Sequence, residues 1–219
     1  MDDSTSLGQG RGVIADAHGT ARSPWAMSSQ LMQDYYDTEW GVPITDEAGL
    51  FERISLEVFQ TGLSWRTILT KRPAFRKAFC QFDPDEVATF DEDTVERLVR
   101  LDGIIRHRGK IRATIANAVA TRALRDKGGL VQLVWSFHPE TTPMPRTSDE
   151  VPTQSAESVA LARALKKSGF RFVGPTNMFA MMEAIGMVDT HLLGSFRRGV
   201  SGLFDSQGNR MKRPWDETG

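Results

Sequence analysis

An acidic residue interrupts the apolar face of a predicted helix. The segment LFERISLEVFQTGLSW, residues 50–65, places Leu50, Ile54 and Val58 at helical spacing. Glu57 follows Ile54 by three positions and Leu50 by seven, so it lies on the same apolar face. Burial of an unpaired carboxylate costs roughly several kcal/mol, or else the group takes up a proton. We therefore predict that Glu57 has a functional reason to be there and that the chemistry of this protein lies at this helix.

The other periodic segments also predict helices, so the predicted fold class is all-α. Capping residues and the spacing of apolar side chains mark where these helices begin and end. The first two predicted helices begin after Ser28 or Ser29 and after Asp46. The others run from Ser64 to Leu69, Pro73 to Phe79, Asp91 to Leu101, Lys110 to Arg125, Ser155 to Ser168 and Pro175 to Met187. The one strand-like run, Phe170 to Val173, is too short to seed a sheet.

Composition divides the chain into three parts. Residues 1–24 lack periodicity and predict a flexible N-terminal extension, residues 25–195 predict a helical domain with a hairpin near 98–115, and residues 196–219 predict a polar C-terminal tail. No apolar run is long enough to span a membrane. The single cysteine, Cys80, excludes an internal disulfide and fits a reducing cytoplasm.

The charge is distributed unevenly along the chain. The formal net charge of −1 argues against a generic polyanion binder. Residues 103–125, however, contain six Arg or Lys residues and no acidic residue, whereas residues 83–96 contain seven acidic residues and no basic one. Such asymmetry is typical of a molecule with one phosphate-facing side.

The basic stretch begins at a tight turn between two predicted helices. Asp102-Gly103 provides turn chemistry, and the free N–H groups at the start of the next helix can hold an anion. We interpret this hairpin as a candidate DNA or RNA contact; the alternative is an ordinary hairpin whose basic face is merely solvated. The candidate contacts are Gly103, Ile105, Arg106, Arg108, Gly109 and Lys110.

Aromatic residues cluster around Glu57 in the sequence. Core packing is the usual explanation for such residues, and we expect it for Phe59. Trp40 lies in the polar turn DTEWGVP, where a pocket wall is the more natural interpretation, and Trp65 follows a predicted helix break. The scattered histidines and the single cysteine provide no metal-binding spacing, and no nucleophile elbow is present.

Together these motifs resemble the 3-methyladenine DNA glycosylase I family. The blocks that carry the resemblance are YYDTEWGVP, LEVFQTGLSW, FDPDEVA, GIIRHRGKIRATIANA, LVWSF and ALKKSGFRFVGPT, in this order between Trp25 and Gly194. The resemblance implies the helix-hairpin-helix glycosylase superfamily, with an all-α fold of two helical lobes and the base pocket between them.

The resemblance also implies roles for individual residues. Glu57 matches the pocket carboxylate that recognises the damaged base and is the candidate catalytic residue. Tyr35, Trp40 and Trp65 match the aromatic residues that surround and stack on the base, and Gln60 matches a glutamine on the pocket side of the same helix. The hairpin matches the DNA-anchoring element of the family.

One part of the family pattern is missing from this chain. Well-known members hold a structural zinc with two Cys and two His, and the corresponding positions here are Ser23, Tyr36, His191 and Ser195. Only the histidine is retained, and a lone imidazole cannot make a tetrahedral site. We therefore predict no zinc and no other cofactor, with the two ends of the domain held by packing or hydrogen bonds.

The predicted activity is that of a DNA repair glycosylase. We expect a monomer that excises cationic N3-methyladenine from alkylated double-stranded DNA by hydrolysis and leaves an abasic site. A covalent lyase mechanism would need a lysine in or near the hairpin, and Lys110 is the one candidate. Two alternatives stay open: a non-catalytic helix-hairpin-helix DNA-binding protein, and a glycosylase redirected to another alkylated base.

Overall fold

The structure, a computed structural model, describes residues 12–214 and is predominantly helical, as predicted. The strands of this part of the chain form a two-stranded antiparallel hairpin, β1 (Ile14–Ala15) and β2 (Ala21–Arg22). The α-helices are α1 (Gln30–Thr38), α2 (Glu47–Gln60), α3 (Trp65–Ala78), α4 (Pro84–Val87), α5 (Glu92–Arg100), α6 (Arg108–Leu124), α7 (Gly129–Trp135), α8 (Ala156–Lys167) and α9 (Pro175–Ala184).

Side-chain caps fix where several helices begin. Ser29, Asp46, Asp91 and Ser155 each accept a hydrogen bond from the backbone N–H three residues later. These bonds satisfy amide groups of the first turn that have no partner inside the helix. The predicted starts of α1, α2, α5 and α8 are therefore confirmed.

The helix after Ser64 is longer than predicted. We expected one helix to end at Leu69 and another to begin at Pro73, but α3 continues through Pro73 without a break. A proline inside a helix removes one backbone hydrogen bond and costs about 3 kcal/mol. Phe75 and Phe79, the two large apolar side chains that follow, are completely buried, and their burial offsets this cost.

Helix α7 was not predicted from the sequence. Gly128 caps it and Gly129 is its first residue, and the two glycines adopt positive φ angles of 94° and 84°. A glycine pair is typical of a loop. The helix forms nevertheless because Leu130, Val134 and Trp135 are all fully buried.

The chain divides into two compact units. The central unit comprises Ile44–His138 and Gln154–Met182. The terminal unit comprises Met1–Pro43, Pro139–Thr153 and Glu183–Gly219, of which residues 12–43, 139–153 and 183–214 are described.

A cluster of phenylalanines forms part of the core of the central unit. The ring centroids of Phe59 on α2 and Phe75 on α3 are 4.5 Å apart. Phe79 lies 5.8 Å from Phe59 and stacks on Phe82 at 5.6 Å, with only 7° between the two ring planes. All four side chains are fully buried, as we predicted for Phe59. This packing holds α3 against α2, the helix that carries Glu57.

Arginines within α6 and directly after it pair with acidic residues of the same unit. Arg108 pairs with Glu96 and Glu92, Arg112 with Glu92, Arg122 with Asp85, and Arg125 with Asp85 and Glu47. All these side chains are partly exposed, so solvent screens the pairs and each contributes little to stability. The charge asymmetry that we interpreted as a phosphate-facing side is thus explained, for these four arginines, by internal pairing.

The terminal unit includes residues on both sides of the central unit in sequence. Arg22 of β2 donates hydrogen bonds to Asp16 at 2.7 Å and to Asp37 of α1 at 2.8 Å, and its side chain is almost completely buried. The backbone N–H of Phe196 donates to the carbonyl of Ala21 at 3.0 Å. The strand that precedes α1 is therefore joined both to α1 and to the segment after α9.

Both ends of the described chain are packed, contrary to the flexible extension and polar tail that we expected. Leu203 and Phe204 are buried, and Thr142 N donates to Gly208 O at 2.8 Å. The β-hairpin lies within the predicted extension. Each of its strands has only two residues, so the sequence pattern did not indicate that they pair. The remainder of the two predicted segments, residues 1–11 and 215–219, lies outside the described residues.

The methionines near the C-terminal helix are core residues, as their helical spacing indicates. Met178, Met181, Met182 and Met187 are all fully buried. Within residues 12–214, no helix is both long enough and apolar enough to cross a membrane.

The phenylalanine cluster leads to a test of the fold. Phe75→Ala removes a fully buried ring and should lower the free energy of unfolding by about 3–5 kcal/mol, because the neighbouring rings cannot fill the space. Chemical denaturation measures the difference. Phe172→Ala is the matched control, since Phe172 is 49% exposed; equal losses for the two variants would contradict the assigned core.

Candidate functional site

Glu57 lies on a helix that is buried along most of its length. Every residue of α2 from Arg53 to Phe59 is buried, and Glu57 itself is only 3% exposed. Asp46 fixes the first turn of this helix by accepting a hydrogen bond from Gly49 N at 2.8 Å. The buried position that the apolar spacing predicted for the carboxylate is thus confirmed.

A buried arginine accompanies this carboxylate and was missed by our sequence reasoning. Arg53, 5% exposed, precedes Glu57 by four residues, a spacing that puts both on one side of the helix. Its guanidinium carbon lies 5.3 Å from the ring centroid of Trp65, at cation–π distance. The available signal was a second charged residue, one helical turn before the first, in the same buried helix.

The turn between α2 and α3 brings Trp65 to the first position of α3. Gln60 Nε2 donates to the carbonyl of Leu63 at 2.9 Å, and Leu63 N donates back to the carbonyl of Gln60 at 2.7 Å. Gly62 adopts a φ of 82°, which favours glycine, and Ser64 caps the new helix. The Gln60 amide therefore shapes the turn, and its contact with a base stays a prediction.

Lys110 has an internal role rather than the DNA contact that we predicted. Its side chain is buried, and Nζ donates to the carbonyls of Phe59 at 2.9 Å and Thr61 at 2.7 Å. These carbonyls lie at the C-terminal end of α2, where a cation is favoured by the helix dipole. Burial lowers the pKa of the Lys110 ammonium below its usual value. The first turn of α6 is thereby attached to the end of the Glu57 helix.

The hairpin between α5 and α6 has the turn geometry that we predicted. Gly103 adopts a φ of 93°, and Ile104 is buried. The His107 side chain accepts a hydrogen bond from Lys110 N at 3.2 Å and so caps α6. A Cβ at Gly109 would lie 3.1 Å from His107 Cε1, so a residue without a side chain suits this cap.

The residues of the hairpin that we predicted to contact DNA differ in their exposure and in their ion pairing. Arg106 is exposed and makes a 3.4 Å contact with Asp102, whose own side chain is 97% exposed. Arg108, in contrast, pairs with Glu96 through both guanidinium NH groups. Ile105 is half-buried. Arg106 is therefore the arginine of this turn whose charge is best placed to meet a phosphate.

Tyr35 and Trp40 belong to the terminal unit and lie in an aromatic cluster. Both are buried, and Trp25, which our sequence reasoning missed, packs edge-on against Trp40 with ring centroids 5.1 Å apart. Trp25 also lies 6.4 Å from Tyr35. Trp40 is only 9% exposed and is packed among rings, and its predicted role as a pocket wall stays a prediction.

The remaining neighbours of Trp40 are Tyr36 and His191. The Tyr36 ring stacks on Trp40 at 5.5 Å with 21° between the planes, and the His191 ring lies 4.4 Å from Trp40. A Cβ at Gly41 would lie 2.5 Å from His191 Cε1, so glycine is required for this close approach. The orientation of Trp40 thus depends on the residues that hold these two rings.

The structure brings the predicted base-binding residues into two groups. Glu57, Gln60 and Trp65 lie on α2, its C-terminal turn and the start of α3 in the central unit, whereas Tyr35 and Trp40 lie in the terminal unit. Within residues 12–214, no group of three or more His, Cys, Asp or Glu residues could hold a metal ion. Contact of either group with a base stays a prediction.

Comparison with known proteins gives consistent matches over most of the chain. A family model described as methyladenine glycosylase matches residues 25–198. The DNA-3-methyladenine glycosylase 1 of Escherichia coli (strain K12) is 48% identical over 176 residues, which are 79% of this chain and 94% of that relative.

Solved structures agree with the sequence matches. A crystal structure of 3-methyladenine DNA glycosylase I is similar with a TM-score of 0.78 and 46% identity, and the match covers 81% of this chain and 99% of that one. The 3-methyladenine DNA glycosylase I of Staphylococcus aureus, in a structure that describes its recognition of 3-methyladenine, is similar with a TM-score of 0.77 and 29% identity over 81% of this chain and 96% of that one. The chain therefore belongs to the methyladenine glycosylase family.

Proposed function

We propose that this protein is a DNA-3-methyladenine glycosylase, which excises N3-methyladenine from alkylated DNA and leaves an abasic site. The observation that carries the proposal is the burial of Glu57, 3% exposed, on a helix that leads directly into Trp65. Family membership and the names of the relatives support the same activity.

The chemistry of the lesion explains why such a site is sufficient. Methylation at N3 makes the adenine cationic, so the glycosidic bond is weakened and the base departs as a neutral molecule. Little general acid is then required, and the main task is selective capture of the base after it has been flipped out of the duplex.

Glu57 and Trp65 have the properties that such capture requires. A buried carboxylate favours a cationic base over a neutral one and can accept a hydrogen bond from the adenine amino group. An indole ring attracts a cation to its face, and Arg53 already occupies such a position on Trp65. An undamaged adenine would gain less from both interactions, so the site would discriminate by charge as well as by shape.

The reaction itself is a hydrolysis at the sugar. The bond between C1′ and the base nitrogen breaks, and its electron pair leaves with the base, which becomes neutral. Water adds to the resulting oxocarbenium-like C1′ and loses a proton to solvent. We propose that Glu57 acts electrostatically in this step, because positive charge is present before and during bond cleavage.

The proposed partner is double-stranded DNA, anchored by the hairpin between α5 and α6. The exposed side chain of Arg106 supports a contact with backbone phosphates. Four arginines in α6 and directly after it are paired internally, so the phosphate contact falls to the hairpin rather than to the whole helix. We propose that the protein acts as a monomer in the cytoplasm, where a chain with one exposed cysteine needs no disulfide.

We further propose that the enzyme is a monofunctional hydrolase. A lyase would use an accessible amine to form a covalent intermediate. The Lys110 amine is buried and already donates to two carbonyls, which supports a structural role.

The electrostatic role of Glu57 leads to a first prediction. Glu57→Gln should reduce the rate of 3-methyladenine release by roughly 100-fold, the scale seen when one preorganised electrostatic contact is removed. Single-turnover release from methylated duplex DNA measures the effect. Glu52→Gln on the same helix is the control, since Glu52 pairs with Arg76; unchanged kinetics in Glu57→Gln would contradict the assignment.

Stacking on Trp65 leads to a second prediction. Trp65→Ala should weaken binding of the flipped base by about 1–3 kcal/mol, whereas Trp65→Phe should keep part of it because an aromatic face remains. Free 3-methyladenine and 7-methylguanine are measured by chromatography after incubation with methylated duplex DNA. Release of another base by the wild type would indicate a redirected glycosylase, and intact duplex binding without release would indicate a non-catalytic binder.

The position of Lys110 leads to a third prediction. Lys110→Met should lower the free energy of unfolding by about 1–3 kcal/mol, because the buried carbonyl of Phe59 and the partly buried carbonyl of Thr61 lose their donor, yet the folded variant should still release the base. Sodium borohydride should trap no protein–DNA adduct with the wild type. An adduct in the wild type that disappears in Lys110→Met would overturn the hydrolase assignment.

A further inference from the structure

Four positions that hold a structural zinc in well-known relatives come together in the terminal unit of this chain. Ser23 precedes the turn Pro24–Ser28, Tyr36 lies on α1, and His191 and Ser195 follow α9. Tyr36 is completely buried, and the other three side chains are between 1% and 7% exposed. The chain thus retains the convergence of these segments although three of the four residue types differ.

The residues at these positions do not fit a zinc ion. Zinc in proteins is bound by thiolate, imidazole or carboxylate groups, whereas this set consists of two serine hydroxyls, a phenol and one imidazole. The hydroxyls are also engaged with one another: Tyr36 Oη lies 3.2 Å from Ser23 Oγ and 2.6 Å from Ser195 Oγ.

The Tyr36 hydroxyl is the centre of a satisfied hydrogen-bond network. Ser23 N donates to Tyr36 Oη at 3.3 Å, and Arg197 N donates to Ser195 Oγ at 3.1 Å. In one consistent arrangement of protons, Ser23 donates to the phenol oxygen and the phenol donates to Ser195. One side chain thereby links the segment before α1, α1 itself and the segment after α9.

The imidazole at the fourth position is held by a different partner. Asp189 Oδ1 lies 2.7 Å from His191 Nδ1 and also accepts from His191 N at 3.0 Å. His191 Nε2 is buried and has no hydrogen-bond partner among the described residues. Around metal sites, a carboxylate commonly accepts a hydrogen bond from the histidine ligand and so fixes its ring. In this chain Asp189 makes such a contact with His191, although the other residues at the four positions are not metal ligands.

The network also bears on the ring that we assign to base binding. Tyr36 stacks on Trp40 and His191 packs against the same indole. Anchoring the Tyr36 hydroxyl fixes its ring, and the ring in turn limits the positions that Trp40 can adopt.

We propose that the Tyr36 hydroxyl, held between Ser23 and Ser195, takes the place of a metal ion as the cross-link of the terminal unit and positions Trp40 for base binding. Tyr36 is a positioning residue, since it acts through Trp40. The part concerning Trp40 rests on the proposed function, whereas the cross-link does not.

Metal content and stability test the cross-link. The full chain, purified without chelator, should contain no stoichiometric zinc, and EDTA should leave its melting temperature unchanged. Tyr36→Phe should lower the melting temperature by about 3–8 °C, because two buried serine hydroxyls lose their partner. One zinc per chain, or a melting temperature unaffected by Tyr36→Phe, would overturn the proposal.

A gain of metal binding provides a second test of the same positions. The variant with Ser23→Cys, Tyr36→His and Ser195→Cys, combined with the natural His191, should bind one zinc per chain. Its melting temperature should rise with added zinc and fall with EDTA. A folded triple variant without affinity for zinc would contradict the idea that the hydroxyl network occupies a metal position.

The positioning of Trp40 requires a readout that stability alone does not change. Well below its melting temperature, Tyr36→Phe should bind free 3-methyladenine roughly 3- to 10-fold more weakly than the wild type, as measured by quenching of tryptophan fluorescence. Leu161→Ala, at a fully buried position of α8, is the matched control that loses stability but keeps affinity. Equal affinity of Tyr36→Phe and wild type would refute the positioning role, and no binding by the wild type would refute the proposed function instead.

Discussion

The ammonium group of Lys110 connects the two parts of the central unit that the proposed activity requires. It donates to carbonyls at the end of α2, 49 and 51 residues earlier in the chain, and its own backbone N–H is held by the His107 cap. One cation therefore satisfies the C-terminal carbonyls of the helix that carries Glu57 and fixes the start of the helix that follows the hairpin. The hairpin and the helix that carries Glu57 are therefore in direct contact through this side chain.

Because most arginines in and near α6 pair with acidic side chains, the basic surface is confined to the hairpin between α5 and α6 and does not extend along the helix. Arg108, Arg112, Arg122 and Arg125 are matched by acidic partners from α2, α4 and α5. A protein that scans long stretches of undamaged DNA benefits from a small number of phosphate contacts, because each additional contact strengthens nonspecific binding. The near-neutral net charge of the chain is consistent with this arrangement.

Local patterns in the sequence predicted the fold class, the caps and the buried position of Glu57, because helical spacing and capping are properties of neighbouring residues. The same patterns could not predict the partner of Lys110, since a backbone carbonyl distant in sequence leaves no mark on residue type. Pro73 was misjudged because its helix is maintained by tertiary burial of the phenylalanines around it. The arginines of α6 were interpreted from charge alone, although the acidic segment 83–96 was visible as a complementary partner. Arg53 could have been found by the same reasoning that identified Glu57.

The replacement of thiolates by hydroxyls in the terminal unit changes which reagents can damage it. A thiolate is a strong nucleophile, and the methylating agents that modify adenine in DNA also react with such groups. Serine and tyrosine hydroxyls without an activating base are weak nucleophiles at neutral pH, and the sequence holds a single cysteine, Cys80, outside this cluster. A cross-link through the Tyr36 hydroxyl therefore contains no thiolate that the agents which create the lesion could methylate.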